Sequence, residues 1–322
     1  MNIEGKLTDF ADGITAIDTD YVRPGLDASH LIVDNGRAAF VDTGTTRSVP
    51  NLLAALEARG VGRDQVDWVL TTHVHLDHAG GAGELMRHLP NARCVTHPRG
   101  ARHLVDPAKL VAASIVVYGE RRYHELYGEI VPIVEDRMLV PADGERIMLG
   151  RRPLELIHTP GHALHHYCIV DLENRRIFPG DNFGISYREF DVDGREFVMP
   201  TTTPVHFDPE ALKASVDRLL AYAPRAMYLT HYSEVRDVLR LAGDLKRGVD
   251  AFVTLGRELA AVPQRAARMR EAMFAQLSAW LDDHGYAGDT DERHRLLDGD
   301  IDLNVQGIEV WLDRQQDGPG PS

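Results

Sequence analysis

Basic residues, cysteines and long apolar runs are all scarce in this sequence of 322 residues. Lysine and arginine number 35 against 49 aspartates and glutamates, which gives a net charge of −14 at pH 7. Proteins bind nucleic-acid phosphates and anionic membrane surfaces by neutralising them with lysine and arginine. We therefore expect neither nucleic acid nor a membrane as a partner.

The two cysteines, Cys94 and Cys168, each lie inside an apolar run typical of a strand. This placement predicts buried free thiols rather than a disulfide framework. The N-terminal segment lacks the basic region followed by an apolar region that is typical of a signal peptide. No apolar stretch of the sequence is long enough to span a membrane. We expect a cytoplasmic protein.

The densest chemistry is in the segment TTHVHLDHAGG, residues 71–81. It contains His73, His75, Asp77 and His78, and it follows an apolar strand pattern at residues 67–70. Alternate side chains of an extended segment point the same way, so the first three can converge while His78 turns towards a neighbouring position. Glycines at 80 and 81 then allow close backbone approach at a predicted helix start. The spacing is suited to two adjacent metal ions.

HVHLDH resembles the HxHxDH motif of the metallo-β-lactamase fold superfamily, and further motifs follow in the family's order at HTPGHALHH (158–166), FPGDNFG (178–184) and MYLTHYS (227–233). The resemblance covers about residues 14 to 231. It implies a first metal bound by His73, His75 and His162, a second bound by Asp77, His78 and His231, and a bridging Asp181.

Three imidazoles suit a divalent ion such as zinc, and a site richer in carboxylate suits zinc, iron or manganese. We expect two divalent ions, with zinc preferred and iron or manganese as alternatives. Two such ions can share a hydroxide at neutral pH. Asp77 and Asp181 are the catalytic candidates, because they would bind the ions next to that hydroxide.

Asp42, in AFVDTGTT (39–46), resembles a family aspartate that braces the metal-binding loop, although a turn-forming aspartate would show the same pattern. His165 and His166 follow His162 closely and are candidates for contacts around the metal ligands or with substrate. Buried structural histidines explain them equally well. The histidines that match no motif are treated as non-ligands: His30, His97, His103 and His124.

Strand and helix signals recur in two similar halves, and the second half has strand signals near 145–149, 153–157, 166–170 and 176–178. The family resemblance implies an α/β fold, an αββα sandwich. Asn35-Gly36 predicts a hairpin between strands at 29–33 and 38–42, and Asp208-Pro209 predicts a helix start. We expect a domain at residues 1–232 with a helical insertion at 98–141, which is either a lid or a cover for the sheet edge. A C-terminal helical extension at 233–312 and a disordered tail at 313–322 follow. Apolar stripes on the helices of the extension are compatible with core packing or with contact between two subunits of a homodimer.

The reaction class is predicted less directly than the site. The best-known zinc β-lactamases have a cysteine where this chain has Asp181, and lactonases of the family place a catalytic tyrosine where it has Gly184. The two differences count against β-lactamase activity and lactonase activity, respectively. An ester or thioester hydrolase that uses a metal-bridged hydroxide on a small molecule is therefore the leading interpretation, with Tyr187 and Arg188 as candidate substrate contacts. The alternatives are a lactone or phosphodiester hydrolase, and a metal-binding sensor or scaffold without turnover.

Overall fold

The computed structural model of the chain describes residues 3–316, except for the side chain of residue 316. These residues form two compact units. The first contains the described residues up to His158 together with His165–Gly180 and Pro224–Glu234. The second contains Thr159–Leu164, Asp181–Ala223 and the described residues from Val235 onward. This division differs from the single boundary predicted at residue 232.

The first unit is built on two mixed sheets. One has seven strands in sequential order, with antiparallel pairing from β1 to β4 and parallel pairing from β4 to β7. Its strands are β1 (Leu7–Asp9), β2 (Ile14–Asp18), β3 (Ala28–Asp34), β4 (Arg37–Val41), β5 (Val66–Leu70), β6 (Arg93–Val95) and β7 (Met138–Leu139). The predicted hairpin joins β3 to β4, and both Asn35 and Gly36 have positive φ, as a two-residue turn of this kind requires.

The other sheet has six strands in the order β13-β12-β11-β10-β9-β8. The strands are β8 (Glu145–Leu149), β9 (Arg152–His158), β10 (Tyr167–Asp171), β11 (Arg176–Phe178), β12 (Ala226–Leu229) and β13 (Ser233–Val235). Pairing from β8 to β11 is antiparallel, and β11 pairs with β12 in parallel. The four strands predicted near 145–178 are all present in this sheet.

A buried apolar layer lies between the two sheets, with Leu70 and Val95 from one and Leu156 and Ile169 from the other. The opposite face of the seven-stranded sheet is covered by helices. Their buried residues pack with Phe40 in a second apolar cluster. The helices are α1 (Val49–Ala58), α3 (Ala82–His88) and α4 (Pro98–Val105). The layers of this unit are therefore helices, sheet and sheet.

The predicted insertion contains three helices: α4, α5 (Ala108–Tyr118) and α6 (Glu120–Tyr127). His97 accepts a hydrogen bond from the Arg99 amide at 3.1 Å and so caps α4. Residues 138–139 form β7, so the end of the insertion belongs to the sheet. Tyr123 and Tyr127 of α6 are buried against Leu76, which is part of the HVHLDH segment.

The second unit contains the helix predicted to start at Asp208-Pro209 and three C-terminal helices. Asp208 caps α7 (Pro209–Leu220) as predicted, since its side chain accepts from two amides of the first turn. Then follow α8 (Val238–Leu259), α9 (Arg265–His284) and α10 (Thr290–Gln316). The helix α10 includes residues 313–316, so the prediction of a disordered tail is wrong for those four residues. The rest of that tail lies outside the described residues. Among the described helices, none is long and apolar enough to cross a membrane.

Candidate metal centre

The HVHLDH segment lies between the end of β5 and the short helix α2 (Leu76–Ala79). His73 and His75 precede the helix, and Asp77 and His78 lie on it. His73 and His78 are completely buried, whereas His75 and Asp77 are partly exposed. A side chain at Gly81 would come within 2.7 Å of the Thr45 carbonyl. The glycine after the motif is thus required by a neighbouring loop.

Asp42 braces this segment, which is the role that the family resemblance implied for it and not that of a simple turn residue. It follows β4 with a φ of 55°, which is uncommon for a residue other than glycine, and its carboxylate is fully buried. It accepts hydrogen bonds from the Thr72 amide at 2.8 Å and from the hydroxyl of Thr230 at 2.8 Å. His78 Nδ1 lies 2.7 Å from Asp42 Oδ2. A proton held on Nδ1 by this contact leaves Nε2 of His78 as the metal-binding nitrogen.

His231 is held in the same way by a backbone group. Its Nδ1 donates to the carbonyl of Leu26 at 3.0 Å, so its Nε2 is also the available donor nitrogen. Asp77 Oδ2 lies 3.5 Å from His231 Nε2 and 3.8 Å from His78 Nε2. Ligand atoms of the three residues all lie within 4.8 Å of one another. Two imidazole nitrogens and a carboxylate so arranged suit a divalent cation.

The first pair of motif histidines is also in contact. His73 Nε2 lies 2.8 Å from His75 Nδ1. The ring of His166 stacks on the ring of His73 with centroids 5.0 Å apart, and the ring of His165 stacks on the same His73 ring with centroids 6.1 Å apart. A side chain at Gly180 would come within 2.7 Å of His166 Nε2. The rings of His165 and His166 therefore lie against His73, a contact that fits both a role around the metal ligands and a structural role.

The remaining two predicted ligands belong to the second unit. His162 Nε2 lies 3.4 Å from Asp181 Oδ2, and both residues are buried. The His162 amide donates to Asn182 Oδ1 at 3.1 Å, which fixes the loop beside Asp181. The Thr203 hydroxyl lies 3.3 Å from His162 Nε2. An imidazole and a carboxylate are thus in place together in this unit.

Tyr187 and Arg188, the candidate substrate contacts, are engaged within the second unit. Tyr187 is 1% exposed and its hydroxyl donates to Asp300 on α10 at 3.0 Å. Arg188 donates to the Ser186 carbonyl at 2.7 Å and forms an ion pair with Asp191 at 3.3 Å. These contacts explain both residues structurally, and their contact with substrate stays a prediction.

Two groups near the motif were not foreseen. Asp27 is completely buried, and burial raises the pKa of its carboxyl to about 7, against the opposing effect of the nearby His231 and His78 imidazoles. The hydroxyls of Tyr21 and Tyr127 are 2.8 Å apart, and burial and the charge of Asp77 raise the pKa of both phenols. An aspartate before a strand is ordinary turn chemistry, so no local pattern marks Asp27 as part of the site.

A model of the metallo-beta-lactamase superfamily matches residues 22–231, which is more than half of the chain. The chain belongs to this superfamily. The predicted family resemblance is therefore confirmed. The motif residues quoted above, from Asp42 to His231, all lie within the matched range.

Three relatives illustrate the range of the superfamily around this chain. The metallo-beta-lactamase fold-containing protein ST1585 of Sulfurisphaera tokodaii is 28% identical over 52% of this chain and 61% of its own length. The acyl-coenzyme A thioesterase MBLAC2 of Homo sapiens is 26% identical over 53% of this chain and 63% of its own length. The hydroxyacylglutathione hydrolase of Klebsiella pneumoniae is 29% identical over 43% and 40%. The matches cover less than two thirds of each relative.

The crystal structure of ST1585 from Sulfolobus tokodaii superposes with a TM-score of 0.64 at 20% identity, covering 93% of this chain and 99% of that one. At this identity the likeness shows the fold alone. The predicted fold class is confirmed: two mixed sheets with helices in the metallo-beta-lactamase fold, followed by the C-terminal helices α8–α10. The histidine and aspartate groups of the chain are consistent with a dinuclear metal site and do not identify the metal.

Proposed function

We propose that this protein is a dinuclear metallohydrolase that acts on an ester or thioester of a small molecule. The observation that carries the proposal is the group of Asp77, His78 and His231, in which both imidazoles present Nε2 to the same side as the carboxylate. Buried imidazoles oriented by a carboxylate and a backbone carbonyl are typical of metal ligands. Membership of the superfamily gives this group its chemical context.

The proposed ligand set follows the superfamily motifs. We assign His73, His75 and His162 to one ion, Asp77, His78 and His231 to the other, and Asp181 to both. Zinc is the first choice for both ions, and iron and manganese are the alternatives, because imidazole and carboxylate donors suit all three. The metals are therefore proposed from the donor types and from the order of the motifs along the chain.

When bound, a pair of divalent ions lowers the pKa of a shared water to about 7 and polarises an acyl carbonyl. The chain's own contribution is orientation. Asp42 holds the proton of His78 on Nδ1, and Leu26 does the same for His231. We assign Asp77 and Asp181 as the catalytic residues, whose carboxylates would hold the ions and orient a water molecule. Because the bound ions would supply the nucleophile, no serine or cysteine nucleophile is needed.

The names of two relatives support the substrate class. One relative is an acyl-coenzyme A thioesterase and another is a hydroxyacylglutathione hydrolase. Acyl-coenzyme A and hydroxyacylglutathione are both thioesters. The net charge of −14 disfavours nucleic acids as substrates, because the protein's field repels a phosphate backbone. We therefore propose a thioester or carboxylic ester ahead of a lactone or a phosphodiester.

The test combines metal analysis with a substrate panel. Protein expressed with excess metal should contain close to two ions per chain by elemental analysis. It should hydrolyse aryl esters or acyl thioesters with a higher kcat/KM than lactones or bis-p-nitrophenyl phosphate, and matched metal-free protein should be inactive. A better rate on the phosphodiester would overturn the acyl assignment. Two bound ions without turnover on any substrate would favour a sensor or scaffold, and one ion or fewer would overturn the dinuclear proposal.

A further inference from the structure

Asp27 lies outside the proposed ligand set, yet the backbone holds it beside that set. The carbonyl of Leu26 accepts a hydrogen bond from His231 Nδ1 at 3.0 Å. On the other side, the amide of Ala28 donates to the carbonyl of Thr230 at 2.8 Å. The residues before and after Asp27 are thus hydrogen-bonded to the strand end that carries His231. This pairing fixes the position of Asp27 within the first unit.

The carboxylate of Asp27 is completely buried. One oxygen, Oδ2, accepts a hydrogen bond from the Thr19 hydroxyl at 2.8 Å. The other oxygen, Oδ1, has no hydrogen-bond partner among the described residues. A buried charged oxygen without a donor is costly unless a cation compensates it. The structure of the chain alone therefore leaves half of this carboxylate uncompensated.

The titratable groups that influence Asp27 are those of the proposed metal position. The imidazoles of His231 and His78 favour its negative charge only when they are protonated, and the carboxylate of Asp77 opposes it. These three residues form the Asp77, His78 and His231 group described above. No lysine or arginine is among the groups that influence Asp27 most strongly. A cation in this group would supply the compensation that the protein does not.

We propose that Asp27 is a positioning carboxylate for the ion bound by Asp77, His78 and His231, and that its charge increases the affinity of this position for a divalent cation. This inference rests on the proposed function, because it uses the same ion. Removal of the charge would leave the ligands themselves intact. It would also relieve the metal-free protein of a buried oxygen that lacks a donor.

The test is Asp27→Asn, which keeps the size of the side chain and removes its charge. Zinc titration in competition with a chromophoric chelator should show that one of the two ions binds about 10- to 100-fold more weakly, the range typical of residues that support metal ligands. The other ion should bind as in the wild type. The melting temperature of the metal-free variant should be unchanged or higher, and its rise on adding zinc should be smaller.

Asp18→Asn is the matched control. Asp18 is buried in the same region of the chain, and its carboxylate accepts hydrogen bonds from the amides of Asp20 at 2.8 Å and Gly25 at 2.7 Å. The histidines of the proposed site are not among the groups that influence it. This variant should lower the melting temperature of the metal-free protein and leave both zinc affinities unchanged.

The outcomes separate this inference from the proposed function. If the wild type binds two ions and Asp27→Asn binds both with unchanged affinity, the role of Asp27 is structural and this inference alone is overturned. The same conclusion follows if the variant loses metal-free stability as Asp18→Asn does, with an undiminished response to zinc. If the wild type binds fewer than two ions, the dinuclear proposal fails and this inference fails with it.

Discussion

Replacement of Asp42 by asparagine is the sharpest test of how the fold prepares the metal ligands. The native carboxylate faces only donors: the Thr72 amide, the hydroxyls of Thr72 and Thr230, and His78 Nδ1 at 2.7 Å. Asparagine has nearly the same shape, and its oxygen can still accept from the Thr72 amide. The amide nitrogen would then face His78 Nδ1 and the Thr230 hydroxyl.

The hydroxyl can rotate to accept, but the histidine cannot meet an amide N–H with its own N–H. His78 must therefore move its proton to Nε2, the nitrogen that faces Asp77. A protonated Nε2 does not bind a metal, so we expect one ion to bind about 10- to 100-fold more weakly. That change corresponds to about 1.4–2.8 kcal/mol. The rearranged buried contacts should cost about 1–3 kcal/mol of folding free energy.

Competition titration with a chromophoric chelator measures the affinities, and urea unfolding of the metal-free protein measures stability. Thr230→Val is the control, because it removes one hydrogen bond to the same carboxylate and leaves the Asp42–His78 contact in place. It should cost about 1 kcal/mol of stability and change metal affinity little. Equal losses of affinity in the two variants would refute the argument from the histidine tautomer.

Three other changes have distinct expected results. His73→Ala should abolish metal binding at its position and activity together, whereas His103→Ala should change neither; loss of metal in the latter, by elemental analysis, would show that the site is misplaced. Tyr118→Ala should raise KM or alter substrate preference with bound metal unchanged if the insertion is a lid; unchanged kinetics with a lower melting temperature would support the covering role. Burial lowers the pKa of His30 to about 3, so the unfolded chain binds the proton first as pH falls below 6.5. Between pH 7 and pH 5 the metal-free protein should lose about 2 kcal/mol of stability relative to His30→Phe, by urea unfolding; an equal loss in both would contradict this.

The sequence predicted the parts of the fold and site that depend on local pattern. The Asn35-Gly36 hairpin, the capped helix at Asp208 and the four strands near 145–178 were all predicted from short-range signals, and the structure contains them. The bracing role of Asp42 was predicted through the family resemblance, and its contacts confirm it. The ligand set itself stays a prediction.

What could not be predicted depends on residues far apart in the sequence. Asp27 is near His231 because the Ala28 amide pairs with the Thr230 carbonyl, across about 200 residues. No local pattern announces such a contact. The helix α10 runs from Thr290 to Gln316, and several of its apolar residues are buried. It continues into the first residues of the segment that was predicted to be a disordered tail.

The attachment of the insertion to the motif decides how its lid role must be tested. Leu76 packs with Tyr123 and Tyr127, so helix α6 contacts the residue directly before Asp77. Tyr118 stacks edge-on against Tyr127 with centroids 5.5 Å apart, and therefore a change at Tyr118 can reach Asp77 through packing alone. A raised KM is evidence for substrate contact only if both metal affinities stay at wild-type values. If metal is lost as well, the kinetic change reports a displaced ligand, and the insertion is then a support for the metal loop.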